Sequence, residues 1–324
     1  MEKNFYLSAM LLAGSLAMFS ACGDDDPADN GGGAAEDVKT VTLDATAYDK
    51  WVYFNFSDGK SEAHEIEPVA GTYSGEVSVD VAGMGNMGTV GDMKLEVTRL
   101  KRDSVGLVLK DFKFAKYDMG DIAAGATITA DVAGWKLAGA TIVVNNMDVS
   151  PEGNINGDSI HLAMTIRPAG MPMAFIATYK GKVETRAGFD EKSIKWDIAL
   201  HRYDVKTNGA SAVATTGKEI AKVAGIPAGG YVADITNDSI LVDNSGMMNG
   251  KIGYASSACN EVLGKGIEFD SKTMPPTPSN WTMSGLVYVV KLASGGYAKM
   301  IFTGYRNDDN ATGHITFDYV YPFK

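Results

Sequence analysis

Near the C-terminus, Ile315, Phe317, Tyr319 and Tyr321 alternate with Thr316, Asp318, Val320 and Pro322. A period of two, with β-branched and aromatic residues on one side, is the pattern of a half-buried strand. Residues 51–56 (WVYFNF) and 297–305 (YAKMIFTGY) also read as strands, the first stopped by the turn Ser57–Asp58–Gly59. The turn-rich stretch 306–313 (RNDDNATG) joins the last two runs and predicts a hairpin. Between residues 69 and 185 lie GTYSGEVSVDVAG, DMKLEVTRL, SVGLVLKDFKF, ATIVVNNMDV, SIHLAMTI and MAFIATYKGKV. These short runs recur about every dozen residues between Gly, Asn and Asp turns, which predicts an up-and-down antiparallel barrel or sandwich. Helix is scarce. Only residues 217–224 and 256–263 offer short candidates.

Composition narrows this picture. The chain has 324 residues, 45% hydrophobic and 21% charged, which is enough for one large or two ordinary domains. Net charge is −11 and no Lys/Arg cluster occurs, which argues against nucleic-acid binding. Glycine is abundant at 37 and proline scarce at 10, as suits an all-β chain with many turns.

The N-terminus reads as a leader. Lys3 precedes an apolar run over residues 5–19 that is too short to span a bilayer comfortably, and Ser20 and Ala21 stand before Cys22. Small residues directly before a cysteine resemble a bacterial lipobox, with Phe19 where Leu is commoner. Residues 1–21 are therefore expected to be a lipoprotein signal peptide, with Cys22 lipidated after cleavage. Residues 22–37 follow as an acidic, Gly-rich tether with six acids and no base. An acidic run in this place resembles the surface-export signal of lipoproteins in Bacteroides-like Gram-negative bacteria. With Cys22 consumed, Cys259 has no partner, so no intrachain disulfide is expected.

No HExxH, GxSxG, GxxxxGK[ST] or CxxC motif is present, and the carboxylates are scattered, so no enzyme is expected. Cys259 has no adjacent histidine to activate it and reads as an inert thiol. Residues 196–205 (WDIALHRYDV) read as one strand, and His201 within it as a structural histidine. His64, His161 and His314 do not form a set with ligand spacing.

Two resemblances give these runs a function. The GTY start and the closing YKG strand of residues 67–185 resemble a calycin-like (lipocalin-type) domain. The flanks YDKWVYFNFSDG (48–59), IKWDIALHRYDVKTNG (194–209) and the C-terminal YAKMIFTGY and GHITFDYVYPF resemble the HmuY-like haem-binding lipoproteins, which act as haemophores. The implied fold is all-β: an HmuY-like antiparallel domain in two segments, 38–66 and 186–324, interrupted by a calycin-like β-barrel insertion at 67–185. Barrel ends lie close together, which is what insertion into a surface loop requires.

The resemblance implies haem as cofactor, held by two axial ligands from neighbouring segments of the C-terminal half. No histidine lies between His201 and His314, which excludes a bis-His site there. The second-ligand position falls at Met274, in SKTMPPTPSNWTMSGLVYV, and the first in DNSGMMNGKIGY, at Met247 or Met248. In an extended segment successive side chains face opposite ways, so only one of the pair reaches the iron. Register against Gly253–Tyr254 favours Met247. A thioether is a soft, neutral ligand that favours reduced iron. Pro275–Pro276 would stiffen the loop, and Tyr254, Val262, Leu263 and Trp281 are candidates for the apolar lining. Sixteen methionines make core filling the competing explanation for any one of them. Met84, Met87, Met171 and Met173, in Gly/Pro turns of the insertion, read as packing at a barrel mouth or as a second haem- or partner-facing patch.

The expected role is haem and iron acquisition at the cell surface: haem taken from host or environmental haemoproteins and passed to an outer-membrane TonB-dependent receptor. The competing reading is a barrel-centred module for another small apolar ligand or a peptidase, with the HmuY-like part as non-haem scaffold. A third is a purely structural or adhesive surface protein.

Overall fold

The structure is a computed structural model describing residues 37–324 apart from 116, 133, 170–172 and 271–279. The leader, Cys22 and most of the tether therefore lie outside the described residues, as do Met171, Met274 and Pro275–Pro276.

The described fold is all-β. The N-terminal flank supplies β1 (Lys39–Asp44), β2 (Lys50–Phe54) and β3 (Ser61–Glu65). The middle segment supplies β4 (Gly71–Val81), β5 (Gly85–Lys101), β6 (Ser104–Phe114), β7 (Tyr117–Asp131), β8 (Gly134–Ala138), β9 (Ile142–Val144), β10 (Met147–Asn156), β11 (Ser159–Pro168) and β12 (Phe175–Arg186). The C-terminal flank begins with β13 (Ile198–His201), β14 (Asp204–Thr207), β15 (Ser211–Ala214), β16 (Val232–Ala233), β17 (Ile235–Asp243) and β18 (Gly253–Cys259). It continues through a single helical turn, α1 (Glu261–Gly264), to β19 (Ile267–Phe269), β20 (Trp281–Met283), β21 (Tyr288–Lys291), β22 (Tyr297–Arg306) and β23 (Thr312–Phe323).

Apart from an isolated bridge between Asp131 and Ile252, the strands of the middle segment pair with one another, as a nine-stranded antiparallel sheet. Its ladder runs β4–β5–β6–β7–β8–β10–β11–β12 and returns from β12 to β4, so these eight strands form a cycle of pairings, with β9 alongside β10. Inward positions alternate along each strand, as in Leu107, Leu109 and Phe112 of β6 or Ile160, Leu162, Met164 and Ile166 of β11, all fully buried. A ring of eight strands is about wide enough for its own side chains to fill, and here they do.

The flanks pair with each other across the whole chain. One sheet has the order β1-β23-β22-β21-β15-β16, another β14-β13-β2-β3. The expected C-terminal hairpin is β22–β23, and Ile315, Phe317 and Tyr319 of β23 are buried. Strand β2 explains why WVYF is apolar at every position. Trp51 and Tyr53 point into the core that fills the ring, whereas Val52 and Phe54 point into a second core beneath β21–β23. A strand buried on both faces has no polar side to show. Ala199 and Leu200 of β13 divide in the same way.

Three expectations are corrected. The stretch 196–205 is not one strand but a hairpin, β13–β14, turned by Arg202 at φ 55°. Residues 256–263 are half strand: β18 runs to Cys259, and the helix is confined to α1, capped by Asn260, whose side chain accepts from Leu263 N–H. Residues 217–224 contain only a 3₁₀ turn at Ile220–Lys222.

Candidate functional site

A cleft of about 1400 Å³ opens among the described residues. Four pieces of the flanks enclose it. The β13–β14 turn contributes Arg202 and Tyr203; β17 contributes Ile235, Thr236, Asn237, Asp238 and Leu241; the end of β18 and the residue after it contribute Cys259 and Asn260; β19 and β20 contribute Ile267, Phe269 and Trp281.

The β19–β20 wall is aromatic. Phe269 lies 4.7 Å from Trp281 between ring centroids, and Trp281 is near-parallel to Tyr305 at 6.3 Å. Tyr203 meets Trp281 edge-on at 6.2 Å. Phe269 is a large exposed aromatic, in the position of a ring waiting for a flat apolar partner. Tyr203 Oη and Trp281 Nε1 are both buried beside the cleft, where Tyr203 has Thr312 and Trp281 as its polar neighbours and burial raises its pKa. Arg202 is pinned by donating Nη1 to the Thr46 carbonyl at 2.9 Å, with its guanidinium 4.6 Å from the Tyr48 ring. Lys265 is the other cation of the lining, on a rim that also carries Glu261, Glu268 and Asp270.

Met247 also lines this cleft. The segment that carries it is not extended: Met247–Asn249 is a 3₁₀ turn between β17 and β18, closed by Gly250 at φ 69°. The alternation of an extended strand therefore does not separate the two methionines. The turn does so instead, leaving Met247 43% exposed at the cleft and Met248 96% exposed in solvent. Met274 lies outside the described residues, but Phe269, Asp270 and Trp281, on either side of the stretch that holds it, line the cleft.

Of the four candidate lining residues, only Trp281 lines it. Leu263 is fully buried in the second core, Val262 packs against that core, and Tyr254 sits half-buried in β18. Arg202, Tyr203 and Phe269 were not anticipated as lining residues. Their only signal is aromatic and cationic residues at turn positions, which is too common to single them out.

The remaining candidates resolve individually. His201 is buried, with Nδ1 3.1 Å from Asp204 and Nε2 2.7 Å from the Tyr48 carbonyl, so both ring nitrogens are committed. His64 stacks on Phe189 at 3.4 Å. Cys259 is a free, buried thiol, and burial, with Asp204 and Asp234 adding to it, pushes its pKa up to about 12. It is therefore protonated near neutrality and no nucleophile. Met84, Met87 and Met173 are exposed at the end of the ring where β4, β5 and β12 turn, rather than packed into its mouth. No group of His, Cys, Asp and Glu suited to a metal ion occurs among the described residues.

One polar cluster escaped the sequence altogether. Lys206 is buried with its ammonium 4.5 Å from the Trp51 ring and 4.8 Å from the Tyr53 ring, and it pairs with Glu191. Burial lowers its pKa, while Glu191 raises it. It lies between the flanks, near the start and end of the middle segment.

Comparison with known proteins now gives this cleft a context. The family model for HmuY protein matches residues 47–319. The chain belongs to the HmuY family. No curated protein matches it. Among solved structures, a Bacteroides vulgatus protein described as HmuY-like and haem-binding is 23% identical, covering 89% of this chain and 93% of that one, with a TM-score of 0.46. The apo HmuY analogue of Tannerella forsythia is 23% identical, covering 87% and 94%, with a TM-score of 0.43. Apo PinO, attributed to Porphyromonas gingivitis, is 19% identical, covering 88% and 98%, with a TM-score of 0.47.

Proposed function

We propose that this chain is a surface lipoprotein that binds haem in the 1400 Å³ cleft, with Met247 and Met274 as axial ligands of the iron. The observation that carries the reading is one of place. Met247 lines the cleft, and so do Phe269, Asp270 and Trp281, the residues that bracket the Met274 stretch.

The lining suits the ligand. Haem is a broad, flat, apolar ring with two carboxylates at one edge. Phe269 and Trp281 offer aromatic faces to the ring, and Lys265 offers a cation at the rim for a carboxylate. Burial of the porphyrin supplies most of the affinity, and the thioethers supply orientation and a preference for reduced iron. Membership of the HmuY family supports the same reading.

The fuller picture rests on the same proposal. Residues 67–185 are an insertion into a haem-binding domain made of 38–66 and 186–324. Residues 1–21 are removed, Cys22 is lipidated, and residues 22–37 tether the body to the outer membrane at the cell surface. Haem captured from haemoproteins passes to a TonB-dependent receptor, without covalent chemistry. The competing reading, a small apolar ligand inside the ring, is disfavoured because Leu95, Leu109, Phe112, Ile122 and Leu162 already fill the interior.

The test is an anaerobic haem titration of residues 23–324, followed by absorbance with and without dithionite. The expected result is a shifted Soret band and narrow visible bands on reduction, both lost in Met274→Ala. No Soret shift in either redox state would overturn the proposal.

A further inference from the structure

The wall that carries Met247 is an unusual piece of this fold. Strands β17 and β18 form a two-stranded sheet of their own, and their register is interrupted twice, between Asn237 and Ile240 and between Leu241 and Asp243. A lone two-stranded hairpin is marginally stable in water and needs something to pack on. Ile235, Thr236, Asn237, Asp238 and Leu241 of β17 line the cleft. The hairpin has a second face, Ile240, Val242 and Ala255, which is buried in the same apolar cluster as Trp135, Leu137 and Ile155 of the nine-stranded sheet.

Three contacts fasten that second face. The Ile252 N–H donates to the Asp131 carbonyl at 3.0 Å, an isolated antiparallel bridge at the end of β7. Trp135 of β8 donates its indole N–H to the Tyr254 carbonyl at 2.7 Å. The same indole covers Gly253 so closely that a Cβ there would fall 2.6 Å from the ring. On β17, Asp238 abuts Gly157 in the β10–β11 turn, where a Cβ would lie 3.0 Å from its carboxyl carbon. That turn is itself tied down by Arg186, which donates to the Gly157 carbonyl and to Asp158.

We infer that the nine-stranded sheet is the positioning element of the ligand-binding cleft. Trp135 is the residue that holds the β17–β18 hairpin, and hence Met247, against the ligand. This rests on the haem reading for the identity of the ligand, but the mechanical link does not. The turn that carries Met247 runs within a few residues into Ile252, which the bridge to Asp131 holds, so loosening this anchorage frees Met247 to leave the iron. A rigid ring behind a weak hairpin lowers the ordering cost of capture, and residue 135 acts without touching the ligand.

The test uses Trp135→Phe, which keeps an aromatic ring and loses the indole donor, and Gly253→Ala, which wedges the indole off the strand. Amide exchange over residues 235–259 is measured in apo protein, and haem release to excess apomyoglobin is measured in the loaded protein. Loss of one hydrogen bond predicts about three- to tenfold faster hairpin exchange and haem release in Trp135→Phe, with exchange over β4–β6 unchanged. Unchanged hairpin exchange in both variants overturns the anchorage. Faster hairpin exchange with unchanged haem release overturns the positioning role. A wild-type protein that binds no haem overturns the haem reading and the retention role with it, while the apo exchange data still decide whether Trp135 holds the hairpin.

Discussion

The nine-stranded sheet and the cleft wall beside it are built on opposite principles. In the ring every strand has two neighbours, the ladder has no free end among β4–β8 and β10–β12, and the inward side chains are fully buried. Around the cleft, β17–β18 and β19–β20 are two separate two-stranded sheets, with Phe269 and Met247 left exposed. The first region is held by a continuous ladder of strands, the second by two short hairpins. This is how a molecule that must capture and release a ligand can be arranged: binding elements belong to the low-stability end of the structure and need a firm body behind them.

Substitutions break this comparison in a definite order. The largest effect is expected from Leu109→Ala in the ring, where a fully buried side chain is lost. Unfolding free energy should fall by about 3–5 kcal/mol, measured by chemical denaturation. Met247→Ala should leave denaturation nearly unchanged but weaken haem binding about 10- to 100-fold, the loss typical of a metal-site partner, read by titration of the reduced protein. An equal loss in Met248→Ala would show that the turn does not discriminate the two methionines.

A smaller effect is expected at Cys259. Its pKa rises from 9.0 to about 12 on folding because of burial. The unfolded thiol therefore ionises first as pH climbs, and the native state retains its proton. Stability contributed by the protonated thiol is intact below pH 9 and is lost as pH rises from about 9 towards 12. Denaturation midpoints should fall across that window, and Cys259→Ala should flatten the fall. Near neutrality, alkylation of Cys259 should be much slower than that of free cysteine. The smallest effect belongs to Met84→Gln and Met87→Gln. Both side chains are exposed, so stability should move by less than about 0.5 kcal/mol.

Much of the fold was legible because local pattern and burial coincide. The alternation at Ile315, Phe317 and Tyr319 marks β23, and the six runs of residues 69–185 mark seven of the nine strands there, β9 and the start of β10 falling in one run. Strands β7 and β8 were missed. The run GDIAAGATITA in β7 has Ala and Gly where contrast between faces is needed, and β8 is only five residues long. The run WDIALHRYDV gave no warning of its turn, because Arg202 and Tyr203 are not turn residues and it is the pairing of Ile198 with Thr207 that bends it.

The candidate site was less legible. Met247 could be picked out by resemblance, but its separation from Met248 comes from a 3₁₀ turn rather than strand alternation. Phe269 and Trp281 are twelve positions apart and become one wall only when β19 pairs with β20. Leu263 looked like pocket lining and proved to be core, because Asn260 caps α1 and turns the helix inward.

By itself the sequence determined the all-β class, the strands β2, β22 and β23, most strands of the middle segment, and the lack of the common catalytic motifs or a Lys/Arg cluster. These follow from side-chain periodicity and composition, which act over a few residues at a time. Only the tertiary structure decided that β2 is shared by two cores, that four distant segments enclose one cleft, and that Trp135 braces the hairpin bearing Met247. Those facts depend on which faces meet across more than a hundred residues of chain, and no local pattern records that.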